Sequence, residues 1–62
     1  MDGYERMALE NEKRAVERER EMTLNEIALR GGGHNESTWH LQTRLRSLEA
    51  RLQTIDAQLR RG

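Results

Sequence analysis

Between Leu41 and Leu59 a leucine or isoleucine returns at Leu41, Leu45, Leu48, Leu52, Ile55 and Leu59, in steps that alternate between four residues and three. No other feature constrains the fold as much. An α-helix gathers this row into one stripe. The only other apolar residues in the segment are Ala50 and Ala57, both on the opposite side. The apolar face is therefore narrow. A narrow stripe with a 3.5-residue period is the pattern of a coiled-coil seam, while packing on a broad core or lying in a membrane surface calls for a wider face.

Size makes burial of that stripe necessary. A chain of 62 residues forms one domain at most and encloses little core by itself. It has no Cys, so no disulfide can staple it. Hydrophobic residues make up 34% and charged residues 35%, a balance that suits long exposed helices better than a globule. Association with another helix is the remaining common route to stability.

In heptad terms Leu45, Leu52 and Leu59 take position a, and Leu41, Leu48 and Ile55 take d. The g flank holds Arg44, Arg51 and Gln58, and the e flank holds Gln42, Glu49 and Asp56. In a parallel pair of copies Arg44 meets Glu49 and Arg51 meets Asp56 across the seam. Reversing one helix sets Arg51 against Arg51 and Glu49 against Glu49. Exposed pairs contribute only about 0.2–1 kcal/mol each, yet attraction against repulsion is enough to select orientation. The sequence thus predicts parallel self-association of this helix, as a dimer or a higher oligomer. Leu at a with Ile at d favours higher oligomers, but Ile55 is the one d position of that kind.

The glycines at 31–33 divide the chain, because three in succession cost a helix roughly 1 kcal/mol each relative to Ala. Three segments result: a charged amphipathic helix over 1–30, a glycine-rich turn over 31–36 and the leucine-heptad helix over 37–62. Gly31 suits a left-handed cap behind the first helix. Asp2 followed by Glu5 suits a capping box at its start, and Asn35 and Ser37 are N-cap candidates for the second. Met22, Thr23, Glu26 and Ile27 also read as a helix start, but the strongly helix-forming segment before them favours continuity. Two helices of roughly 40 and 36 Å, at about 1.5 Å per residue, joined by a short glycine turn, predict an all-α helical hairpin. Two hairpins with the leucine helices inside would make a four-helix bundle.

The first helix is less regular. One candidate four-three row is Tyr4, Ala8, Asn11, Ala15, Arg18, Met22, Asn25 and Leu29. Charges can pair along it as Arg6 with Glu10, Glu10 with Arg14 and Lys13 with Glu17. Most of its surface reads as a solvated face, and the sharper reading is an arm that binds a larger protein. Near the turn, Met22, Ile27 and Leu29 are expected to gather with Trp39 as an apolar cap on the hairpin end.

Net charge is zero, with 11 basic and 11 acidic residues, which argues against nucleic acid as the main partner. Residues 1–21 hold seven acids against five bases, and residues 37–62 hold five arginines against two acids. This asymmetry weakly favours antiparallel docking of the halves. A basic-zipper protein also ends in a leucine heptad, but here the preceding segment is acidic and broken by glycine. No apolar run is long enough to span a bilayer and no signal peptide is visible, so the expected setting is soluble, cytoplasmic or virion-associated.

No catalytic constellation, cofactor motif or metal site emerges. His34 and His40 are the only histidines, and with no Cys they make too small a ligand set. The glycines lack the Lys-Ser/Thr of a phosphate loop. Asn35-Glu36-Ser37 matches a glycosylation acceptor, with no secretory signal to support it. The leading expectation is a non-enzymatic, self-associating coiled-coil protein that serves as a structural or adaptor component. The alternative is a small helical chaperone or inhibitor, of the kind phages encode, whose stripe docks into a groove on another protein. Weak nucleic-acid binding through the C-terminal arginines comes third.

Overall fold

The computed structural model describes residues 1–32 and 35–61. The expectations for Gly33 and His34 lie outside the described residues. Helix α1 spans Gly3–Leu29 and helix α2 spans Trp39–Arg61, and the two pack side by side as a hairpin. The chain is all-α, and among the described residues there is no strand. Its extents of 43 × 14 × 12 Å are those of two adjacent helices.

The ends of α1 form as the local chemistry requires. Asp2 is the N-cap, and its Oδ1 accepts the Glu5 amide at 2.8 Å, which satisfies one of the free donors of the first turn. At the other end Gly31 and Gly32 have φ of +106° and +76°. The Gly32 amide donates to the Ile27 carbonyl at 2.9 Å and the Gly31 amide to Ala28 at 3.2 Å. This is a Schellman motif, and the left-handed residue at its centre is why glycine stands there.

No break occurs at Met22–Thr23, since α1 runs through. Thr23 does not cap; its hydroxyl donates to the Glu19 carbonyl at 2.8 Å, one turn back. The second helix starts at Trp39, two residues later than the expected 37, because a turn over 35–38 precedes it. There the Asn35 Oδ1 accepts the Thr38 amide at 3.1 Å, and the Thr38 hydroxyl accepts the Asn35 amide at 3.3 Å. That reciprocal pair works as a capping box does. The Ser37 hydroxyl donates to the same Asn35 oxygen at 2.6 Å. Arg30 closes the loop, its Nη1 donating to the Ser37 carbonyl at 2.8 Å.

The core is thin. Among the described residues the buried apolar side chains are Ile27, Leu41 and Ile55, and of these Ile55 alone is wholly enclosed, at 0% exposure. The accessible surface is 4859 Å² for a 7.3 kDa chain, where a compact protein of that mass exposes roughly 4,200 Å². Two helices side by side leave most of each cylinder in water. Among the described residues no helix is long and apolar enough to cross a membrane.

Candidate functional site: the interhelical seam

The chemistry of this chain is concentrated where α1 meets α2. On α2 the expected stripe faces α1: Leu41 and Ile55 are buried, and Leu45, Leu48, Leu52 and Leu59 are half-buried. On α1 the opposing face is Leu9, Val16, Thr23 and Ile27, with Lys13 and Arg20 between them. Thr23 and Ile27 are buried, and Leu9, Lys13, Val16 and Arg20 are half-buried. These α1 positions also alternate in steps of four and three, but two of the six are cations. Long cationic side chains lay their methylenes along the seam and carry the charge to its rim.

Two rows of ion pairs flank the seam. Along one edge Arg44 reaches Glu19 and Arg51 reaches Glu12, each at 2.7 Å. Along the other edge Lys13 meets Asp56 at 2.9 Å and Arg20 approaches Glu49 at 3.7 Å. Each pair lies seven residues further along one helix and seven residues back along the other, as antiparallel neighbours must. All four pairs are about 36–56% exposed. The three arginine pairs therefore contribute within the roughly 0.2–1 kcal/mol range of surface pairs, and the joint effect of all four is on register more than on stability. The hydrogen bond from Lys13 to Asp56, reinforced by that carboxylate's charge, holds the Lys13 pKa above the usual lysine value.

The flanking charges Arg44, Glu49, Arg51 and Asp56 thus have partners on α1 of the same chain. The sequence pairs the same four charges with a second α2, and within one chain α1 supplies complementary residues for them. Glu12 and Glu19 belong to a row Glu5, Glu12, Glu19, Glu26 at strict seven-residue intervals. That row, set against Arg44 and Arg51 with the same interval, is the signal from which the pairing can be read.

The four-three row expected on α1 is not the packed one. Tyr4, Ala8, Asn11, Ala15, Arg18, Met22, Asn25 and Leu29 are all exposed. The apolar cap does not form either. Ile27 is buried, but Met22, Leu29 and Trp39 are 63%, 87% and 71% exposed. The reason is angular. With about 100° per residue, Met22 stands a quarter-turn and more from Thr23, and Leu29 about 200° from Ile27. Trp39, two residues before the buried Leu41, points to the far side of α2 by the same count. Of the expected pairs within α1, Arg6 and Glu10 form at 3.1 Å, while Lys13 turns to Asp56 and Arg14 to Asn11.

Beside the seam an open groove of about 170 Å³ is lined by Glu19, Met22, Thr23, Glu26, Leu41 and Arg44. Its carboxylates face solvent or Arg44. Among the described residues no three His, Asp or Glu side chains gather as a metal site. Compared with known proteins, the chain matches no family model, no curated sequence and no solved structure.

Proposed function

We propose that the chain is a non-enzymatic protein that acts by helix-to-helix contact, a self-associating coiled-coil element serving as a structural or adaptor component. The observation that carries this reading is the incomplete cover of the α2 stripe. Leu45, Leu48, Leu52 and Leu59 are only half-buried against α1, whose opposing face gives up two positions to Lys13 and Arg20. The hairpin therefore keeps apolar surface that a second copy can bury, and burial of that surface is the dominant drive for association. The heptad spacing of the stripe and the seven-residue step of the ion pairs support coiled-coil packing. A soluble setting, cytoplasmic or virion-associated, goes with this role.

Sedimentation equilibrium combined with circular dichroism over a concentration series tests the reading. A helical dimer or tetramer that dissociates on dilution supports it. A stable helical monomer at every concentration rejects self-association.

One observation favours a second reading, in which a larger protein is the partner. The outer face of α1 presents Tyr4, Met22 and Leu29 with 87%, 63% and 87% of their surface in water. An amphipathic helix with such anchors suits a groove on another protein, as a chaperone or inhibitor would use it. A concentration-independent monomer would turn attention to that face.

A further inference from the structure

We propose that α1 is a built-in cover for the α2 stripe, occupying the place that α2 of a second copy takes when the hairpin opens. The chain then exchanges between a closed monomer and a parallel dimer through one set of side chains. This rests on the reading of the stripe as a self-association surface, and it names both the partner and the control.

The argument is one of equivalence. Four α2 charges flank the stripe, and each has an opposite charge in either state. In the closed hairpin Arg44, Glu49, Arg51 and Asp56 face Glu19, Arg20, Glu12 and Lys13. In a parallel α2 pair, heptad geometry sets Arg44 against Glu49 and Arg51 against Asp56 of the second copy. The α1 helix thus offers acids where the second copy offers acids, and cations where it offers arginines. The two states exclude each other because they use the same stripe.

Their strengths differ in kind. A second α2 brings six leucine or isoleucine side chains to the seam, whereas α1 brings Leu9, Val16, Thr23 and Ile27 with Lys13 and Arg20 between. The dimer therefore buries more apolar surface per stripe. The hairpin has proximity, since a short link gives α1 an effective concentration on the order of millimolar. The joint turns on glycine: Gly31 and Gly32 carry positive φ, a backbone conformation that side-chain-bearing residues rarely adopt. An incomplete cover on a glycine joint holds at low concentration and yields to a second copy.

The test reverses charges in the full-length chain. In the first variant Glu12→Lys, Lys13→Glu, Glu19→Lys and Arg20→Glu set α1 against every flanking charge of α2 without altering α2. In the second, Arg44→Glu, Glu49→Arg, Arg51→Glu and Asp56→Arg also oppose α1, yet leave the α2-to-α2 pairing complementary. The third combines all eight changes and restores the hairpin pairs with signs exchanged. Sedimentation equilibrium gives each dimer constant. Gly62→Cys, added to each variant and to the parent, reports parallel alignment by disulfide formation.

The expected result is that the first two variants dimerise about tenfold or more tightly than the parent and cross-link through the added cysteine. The eightfold variant returns to the parent's behaviour. If the parent associates and the two variants do so no more tightly, or stay monomeric, α1 is not a cover, although the stripe still self-associates. If neither the parent nor any variant associates, the self-association reading fails with it.

Discussion

Arg51 donates its Nε to the Glu12 carboxylate at 2.7 Å across 39 residues of sequence. Seven residues nearer the turn on both helices, Arg44 donates its Nη2 to the Glu19 carboxylate at 2.7 Å. The repeat fixes the register of the hairpin. Sliding one helix past the other by a single turn would part both pairs and misalign Lys13 from Asp56. The apolar face of α1 is too sparse to resist such a slip alone.

Reversal of one pair therefore tests whether the contact is made in solution. Glu12→Arg and Arg51→Glu should each lower stability by about 0.5–1 kcal/mol. The double variant should recover most of that loss. Urea unfolding followed by circular dichroism measures all three, and additive losses would mean that the two side chains do not meet.

Ile55 is the one wholly enclosed apolar side chain among the described residues. Ile55→Ala should cost roughly 2–5 kcal/mol, a large part of the about 3–9 kcal/mol expected for a domain of this size. Trp39→Ala, on the exposed side of α2, should change stability by less than about 0.5 kcal/mol. Thermal melts compare the two. Equal losses would contradict the packing described.

Gly31 holds φ of +106° at the centre of the Schellman motif. Gly31→Ala should destabilise the hairpin by about 1 kcal/mol or more, because an L-residue is strained there. Gly3→Ala meets no atom within 4 Å and lies in a helix, so it should be neutral or slightly stabilising. The difference between their midpoints in urea checks the claim.

Stability should also fall at alkaline pH. The Lys13 pKa is raised in the folded chain by its hydrogen bond to Asp56. A base with a raised folded pKa binds its proton more tightly when folded. Its contribution is complete below the unfolded lysine pKa and is lost as pH rises through the folded one. Melting temperatures taken from about pH 9 to about pH 12 should decline, and the Lys13→Met variant should lose part of that slope. An unchanged slope would separate Lys13 from the effect.

The sequence by itself determined the two helices, the caps of α1 and the face that α2 buries. Each depends on residues close together in the chain. Asp2 and Glu5 start α1, Gly31 and Gly32 end it, and the leucine row marks one side of α2 whatever lies against it. What lay outside local reading was the partner of that row. The exposed row through Ala8, Ala15, Met22 and Leu29 is as apolar at every seventh position as the packed row, where Lys13 and Arg20 intervene. Period alone could not choose between them. Only the tertiary structure decided, because Glu12 and Glu19 become a register signal once Arg51 and Arg44 stand opposite them. The same placement turned Met22, Leu29 and Trp39 outward, since a helix that buries one narrow face must expose residues a quarter-turn or more away.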